Sequence, residues 1–268
     1  MKITVTKIKK LRALTGIGII ECKQALLQTK GDIALAVDYI RKNLKLHILN
    51  NISQTTTEGF IIGLITKDLG ILLEINCQTD FVARNTHLYN FANDILQYVK
   101  QHPNTNIIKI RNIFKKKLLY LINIIKENII LTQLEIIQGV FIGSYIHHNK
   151  RIGVILQSNL DNQSIMKKIA MHIAVLKPRY ISKHDIPQNI IDKEYQIQKS
   201  LVQTLNKPKM ILNKIINGRI NKFINNITLN NQYFLLDTTK LVANYLHENN
   251  MVITKFLYLE LGQNTKIY

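Results

Sequence analysis

The 268 residues carry 36 Lys and Arg against 17 Asp and Glu, a formal net charge of +19, with 46% hydrophobic and 20% charged residues. This length allows one large or two modest domains with a full core, and the composition excludes a disordered tail. No apolar run approaches the roughly 18 to 20 residues of a membrane helix. Cys22 and Cys77 stand far apart without C-x-x-C or Cys/His spacing, which argues against a disulfide framework and a zinc site and leads us to expect a soluble protein in a reducing compartment.

The basic excess admits two readings. Positive surfaces attract phosphate and acidic partners, so RNA or an acidic protein comes into view. Ile, Asn and Lys, the residues of A/T-rich codons, are abundant and Trp is absent, so genome drift is the competing source of the charge. The opening M-K-I-T-V-T-K-I-K-K is followed by no apolar h-region or cleavage site and lacks the character of a transit peptide. Such coding without an import signal points to an organelle genome, most simply a plastid, or to a reduced bacterium. The expected compartment is the plastid (chloroplast) stroma or the bacterial cytoplasm.

Residues 1–50 read as a three-helix domain. Val5, Ile8, Leu11 and Leu14 recur at helical spacing, and Thr15-Gly16-Ile17-Gly18 turns the chain. A second helix spans about Ile20 to Thr29, and Lys30-Gly31 stops it. Asp32 is an N-cap for a third helix running to about Asn43, with Leu35, Ala36, Tyr39 and Ile40 on one face. The neighbours Ile19 and Ile20 cannot both point inward, so one of them is expected at the surface. The polar stretch from Asn50 to Thr57 reads as a linker.

From Gly59 the period changes to that of a strand. Gly59 to Thr66 and Ile71 to Cys77 form a hairpin about Lys67-Asp68-Leu69-Gly70. Leu73, Ile75 and Cys77 alternate with Glu74, Asn76 and Gln78 as in a strand, and the alternation breaks at Thr79-Asp80-Phe81. Thr86 is placed to cap a helix running to about Gln101, with Leu88, Phe91, Ala92, Ile95, Leu96 and Val99 inward and Pro103 just past its end. Residues 107–131 read as helical, with an internal break that the pattern does not locate.

Gly139-Val140-Phe141-Ile142-Gly143 then repeats Gly59-Phe60-Ile61-Ile62-Gly63 at a constant offset of 80 (139 − 59, 143 − 63). A strand from Gly153 to Gln157 and a helix from Ser164 to Leu176, stopped by Lys177-Pro178, follow. The expected fold class is α+β, with a duplicated hairpin-plus-helix unit forming a two-lobed core divided as 56–138 and 139–268. Within the second part, residues 184–224 are helical, polar and broken at Asn206-Lys207-Pro208, which suggests a projecting helical hairpin. A strand from Tyr233 to Leu236, a helix from Thr238 to Glu248 and an alternating strand from Met251 to Leu261 complete the chain.

Chemical signatures are sparse. Neither a Gly-rich phosphate loop nor H-E-x-x-H occurs, and the few acidic residues supply an acid/base enzyme poorly, so no covalent catalysis, cofactor or metal is expected. His147 and His148 are expected in a solvated turn after Gly143-Ser144-Tyr145-Ile146, and because adjacent histidines in a strand point to opposite sides no chelating pair is expected. His172 reads as a hydrogen-bonded core histidine. Lys9-Lys10 and Lys115-Lys116-Lys117 read as solvated faces, since no RNA-recognition aromatics interleave them. By chemistry alone, Asp80 and Phe81 are a helix cap and a buried ring.

The run from Leu11 to Leu26, L-R-A-L-T-G-I-G-I-I-E-C-K-Q-A-L, resembles the opening signature of elongation factor Ts, and Glu74 to Ala83, E-I-N-C-Q-T-D-F-V-A, resembles its second. Further matches follow in family order. They are Gly143-Ser144-Tyr145 with His147, Arg151 to Val154, Ala170 to Ala174, Lys177-Pro178, Glu194-Tyr195, Lys207-Pro208-Lys209, and Gly218-Arg219 with Lys222-Phe223. The resemblance implies a ubiquitin-associated-like N-terminal bundle and a factor that binds elongation factor Tu and promotes release of GDP. It also implies that Asp80 and Phe81, with their neighbours Thr79 and Val82, enter that GTPase near its Mg²⁺. Phe81 would fill an apolar pocket and Asp80 disturb the metal's contacts. His147 would join the core contact, while Arg12, Ile19 and Ile20 meet the nucleotide-binding domain. No membrane attachment is expected, direct nucleic-acid binding is not required, and ribosome proximity is compatible with this reading. Many family members continue into a C-terminal helix, so a sequence ending at Tyr268 is expected to lack that contact. A basic RNA- or ribosome-associated protein without exchange activity is the alternative.

Overall fold

A computed structural model describes residues 3–15, 18–40, 56–202 and 208–263. The Gly16-Ile17 corner, the end of the third helix, most of the linker, the Asn206-Lys207 break and the last five residues lie outside the described residues. The chain divides into two compact units, Met1–Ile62 with Leu73–Leu134, and Gly63–Leu72 with Glu135–Tyr268.

The first unit opens with helices α1 (Val5–Thr15), α2 (Ile19–Gln28) and α3 (33–40). Leu11, Cys22, Ala25, Leu26 and Ala36 form its core with Ile8 and Ile40. Asp32 caps α3 as expected, its Oδ1 accepting from the Leu35 N–H at 3.0 Å. The apolar faces are narrower than the sequence suggests, since Val5, Leu14, Leu35 and Tyr39 are exposed. Three short helices enclose little volume, so residues at the rim of the stripe stay outside. On α2 the buried stripe begins at Cys22 and continues through Ala25 and Leu26. The first turn lies beyond it, so Ile19 and Ile20 are both exposed, not one of the two.

Next come β1 (Glu58–Ile65), β2 (Leu69–Cys77), α4 (Asp80–Ala83), α5 (Thr86–Gln101), α6 (Ile107–Ile125) and β3 (Ile130–Gln138). The strands are ordered β1-β2-β3. Being central, β2 is buried over all nine residues, its alternating polar side chains included. Its polar residues are satisfied from β3. Gln133 Nε2 donates to Glu74 Oε2 at 3.0 Å, and the Thr132 hydroxyl donates to Asn76 Oδ1. Without these bonds, two buried polar side chains would be costly. Gly59 is required where β1 passes β2. Its φ is 145°, and a Cβ there would lie 2.1 Å from the Ile75 carbonyl oxygen.

The Ile-rich segment read as helical through residue 131 is two elements. Helix α6 ends at Lys126, whose φ of 66° is left-handed, and β3 follows. Isoleucine fits a buried helix face and a strand equally well, so composition did not mark the change. All six residues expected to face inward on α5 are buried. Its N-cap is Asn85, one residue before the expected Thr86, with Asn85 Oδ1 accepting from the His87 N–H at 2.8 Å.

The second unit contains β4 (Ile142–Ile146), β5 (Ile152–Ser158), α7 (Gln163–Leu176), α8 (Gln188–Val202), α9 (Lys209–Ile227), β6 (Tyr233–Phe234), β7 (Asp237–Leu241), α10 (Val242–Glu248) and β8 (Ile253–Glu260). Its main sheet, ordered β4-β5-β8, repeats the plan of the first: a hairpin plus a third strand from later in the chain beside the hairpin's second. Gly59 and Gly139, paired by the offset of 80, both have positive φ, 145° and 157°. Gly143 lets α7 sit close on β4, since a Cβ there would lie 2.6 Å from the Met166 Cβ. Helices α8 and α9 share a separate core of Val202, Ile216, Ile220, Ile224 and Ile227 with Tyr180 and Ile186. Residues 238–241, expected within a helix, instead belong to β7, which pairs with β6, and the helix begins only at Val242.

His172 is fully buried on α7 and held as its sequence context suggested. Its Nδ1 accepts from the Leu235 N–H at 3.1 Å, and its Nε2 lies 2.9 Å from Gln232 Oε1. Gln232 directs its amide nitrogen at the Asn226 carbonyl, which leaves Oε1 to accept from the imidazole. Burial pulls the His172 pKa below its ordinary value, against the opposing influence of Gln232. The neutral ring thus fastens α7 to the residues on either side of β6.

Candidate functional site

Where β2 ends, the chain makes one short helix before α5. Thr79 caps that helix, its Oγ1 accepting from the Val82 N–H at 3.4 Å. The cap expected at Asp80 is therefore one residue earlier, and Asp80 opens the helix proper. The Cys77 thiol donates to the Thr79 carbonyl at 3.1 Å from beneath. Burial, reinforced by nearby carboxylates, pushes that thiol up to about 12, so Cys77 acts as packing and not as a nucleophile.

Within the tip, Val82 faces inward and is buried, whereas Phe81 is 83% exposed. The buried ring expected from chemistry alone is thus overturned. A four-residue helix has one inward face, and Val82 occupies it. Asp80 is also exposed, with one oxygen 3.3 Å from the Arg84 guanidinium one turn on. An ion pair this open contributes little and leaves the carboxylate able to exchange partners. The tip consequently presents one anionic and one aromatic side chain to solvent.

Thr79 is held from outside its own segment. Its backbone N–H donates to Glu127 Oε2 at 3.1 Å and its hydroxyl donates to Glu127 Oε1 at 2.8 Å. Sequence reasoning passed over Glu127, although a signal was present. A carboxylate just past a helix C-terminus faces the unfavourable end of the dipole, so its position there calls for a compensating contact.

In the same unit, Arg12 is exposed near the end of α1, and Ile19 and Ile20 are 55% and 74% exposed on the first turn of α2. Glu21, the next residue, accepts from the Gly18 N–H at 3.1 Å through one oxygen and from Lys126 Nζ at 2.6 Å through the other. Lys126 and Glu127 therefore reach the α2 patch and the tip from adjacent positions.

His147 belongs to the second unit, in the turn joining β4 to β5. It is half-buried, with Nδ1 2.7 Å from the Tyr145 hydroxyl. The His147 and His148 rings lie 4.3 Å apart between centroids, and so do not point to opposite sides as strand residues would. The turn expected here is present: β4 ends at Ile146, and the Lys150 N–H donates to the His147 carbonyl, which brings the two rings together. Among the described residues, no group of three or more His, Cys, Asp or Glu is placed to hold a metal ion. No described helix is long and apolar enough to cross a membrane.

Residues 78–263 match the family model described as "Elongation factor TS". The chain belongs to the elongation factor Ts family. Curated relatives named Elongation factor Ts agree along nearly the whole chain. The protein of Buchnera aphidicola subsp. Acyrthosiphon pisum (strain 5A) is 40% identical over 256 residues, 96% of this chain and 95% of the relative. That of Baumannia cicadellinicola is 36% identical over 265 residues, covering 97% and 94%. That of Photorhabdus laumondii is 35% identical over 263 residues, covering 97% and 93%. The family match takes in Thr79 to Val82 and His147. Arg12, Ile19 and Ile20 fall before it, and the full-length relatives extend the similarity toward them.

Proposed function

We propose that this chain is a guanine-nucleotide exchange factor that binds GDP-loaded elongation factor Tu and promotes GDP release, performing no covalent chemistry of its own. The observation that carries this reading is the exposed Phe81 beside an exposed Asp80 on a tip whose own base is fixed. An aromatic left in water on a braced backbone is suited to filling a pocket in a partner. Asp80 then stands as an anion beside the partner's Mg²⁺-phosphate site. Mg²⁺ bridges phosphate oxygens to the protein, so disturbing its shell weakens nucleotide binding directly.

Magnitudes limit what the tip does alone. Burying one Phe contributes roughly 1.5 to 3 kcal/mol, and a tenfold loss of nucleotide affinity takes about 1.4 kcal/mol. The tip therefore accounts for about one or two decades of faster release. Further anchoring comes, in this reading, from Arg12, Ile19 and Ile20 in the bundle and from His147 in the second unit. Linkage requires that a factor which loosens nucleotide is itself loosened by nucleotide, so GTP entry releases it. The compartment is that of the translating ribosome, bacterial cytoplasm or, for an organelle-encoded chain, plastid stroma.

The net charge of +19 favours a second reading, a basic RNA- or ribosome-associated protein. Release of labelled GDP from the cognate elongation factor Tu separates the two. Exchange predicts rapid release with substoichiometric amounts of this chain. RNA binding predicts unaltered release together with an RNA affinity that falls steeply with salt.

A further inference from the structure

Phe81 lacks packing that would aim it. At 83% exposure its direction is set by the backbone of α4, and α4 is too short to hold itself. Its one described side-chain cap is Thr79, and Thr79 depends on Glu127. The polarity runs in a single sense. The Val82 N–H donates to Thr79 Oγ1 at 3.4 Å, the Thr79 hydroxyl donates to Glu127 Oε1 at 2.8 Å, and the Thr79 N–H donates to Glu127 Oε2 at 3.1 Å. With both carboxylate oxygens engaged on one residue, the Thr79 hydroxyl hydrogen is committed to Glu127 and a lone pair is left for the helix. Carboxylate acceptors make such bonds about twice as strong as neutral ones.

Glu127 is itself placed by an unusual turn. Lys126 adopts a left-handed φ of 66°, its N–H closing on the Ile122 carbonyl at 2.7 Å. Lys126 Nζ donates to Asn123 Oδ1 at 3.2 Å and to Glu21 Oε1 at 2.6 Å. One turn therefore fixes the tip through Glu127 and holds the helix bearing Ile19 and Ile20 through Lys126.

We propose that Glu127 is a positioning residue for nucleotide exchange, aiming Phe81 through Thr79, and that the Lys126–Glu127 turn keeps the tip and the α2 patch in one frame for the same partner. This rests on the exchange reading above. Glu127 touches no nucleotide; it acts by fixing the conformation in which Phe81 meets its pocket. Loss of this constraint lowers the rate at saturating factor, since each bound complex then samples misdirected tips. Loss of the Lys126 arm raises the concentration needed for half-saturation, since the α2 patch no longer arrives with the tip.

The test measures labelled-GDP release from elongation factor Tu over a titration of the full chain, for wild type, Glu127→Gln, Glu127→Ala, Phe81→Ala and Phe81→Ala/Glu127→Ala. Glu127→Gln keeps the volume and one acceptor, so it reports on the bidentate grip even if the alanine variant folds poorly. Glu127→Ala removes both charge-assisted hydrogen bonds to Thr79 and is expected to lower the saturating rate by at least about tenfold, since one such bond alone corresponds to about one decade at about 1.4 kcal/mol per decade. Glu127→Gln should fall between it and wild type. In the Phe81→Ala background the Glu127 change should add nothing, which a merely structural role would not produce. Lys126→Ala should raise half-saturation and leave the saturating rate unchanged. If wild type accelerates release and Phe81→Ala slows it, but both Glu127 variants reach the wild-type plateau, the positioning role is overturned while the exchange reading stands. Multiplying effects in the double variant overturn it as well. If wild type itself leaves GDP release unchanged, the exchange reading fails first.

Discussion

The junction after β2 and the junction after β5 are the same step of a repeated hairpin-plus-helix plan, built to different lengths. Four residues, 159–162, connect β5 to α7, whereas eight, 78–85, connect β2 to α5. The shorter junction is tied down. Asn159 and Val252 exchange two hydrogen bonds, the Asn159 N–H to the Val252 carbonyl at 3.1 Å and the Val252 N–H to Asn159 Oδ1 at 2.7 Å. Asn162 then caps α7, accepting from the Ile165 N–H at 3.2 Å. In the longer junction the surplus makes α4 and puts Phe81 into solvent. The repeated plan supplies two hairpin-plus-helix arrangements, and the departure from it supplies the tip.

Breaking the long junction should therefore alter exchange and leave stability alone. Phe81→Ala is expected to slow GDP release at saturating factor by about one to two decades, from the roughly 1.5 to 3 kcal/mol of a buried Phe. Its thermal midpoint should match wild type, since the ring packs on little in the free protein.

A core polar contact of the second unit should show the reverse. His172→Ala leaves the Leu235 N–H and Gln232 Oε1 without their partner and should cost about 1–3 kcal/mol of stability, measured by denaturant unfolding. The wild-type chain should carry a pH signature of the same contact. Because the folded-state pKa of His172 is lowered, the unfolded chain binds the proton more readily. The stability from the neutral ring is complete above the unfolded value of about 6.5 and is lost as pH falls through and below it. Denaturant midpoints between pH 7.5 and 5 should fall more steeply for wild type than for His172→Ala.

Ile20→Ala should raise the half-saturating concentration by about fivefold, near 1 kcal/mol for a partly covered side chain, with an unchanged plateau rate. The smallest effect belongs to the short junction. Leu160→Ala, although Leu160 is exposed, should leave the plateau within about twofold of wild type.

Local structure was legible in the sequence where local pattern decided it. The six inward residues of α5, the Asp32 cap and the core role of His172 all follow from spacing and residue type. Distant partners decided the rest. Glu74 and Asn76 alternate as solvent-facing residues would, and only β3, more than fifty residues on, supplies the Gln133 and Thr132 that allow their burial. The same β3 was hidden in an Ile-rich run that fits helix and strand alike. At the tip, Asp80 and Phe81 stood out through their motif, but residue type alone favoured a buried ring. What places Phe81 outside is the single inward face of α4, taken by Val82, and what holds that helix is Glu127, 48 residues from Thr79.

The central claim, that the surplus residues of the longer junction drive exchange, is tested most directly by one titration of labelled GDP release from elongation factor Tu with wild type, Phe81→Ala and Leu160→Ala chains. The expected result is a wild-type plateau retained by Leu160→Ala and lowered at least about tenfold by Phe81→Ala. Equal plateaus for wild type and Phe81→Ala would contradict it.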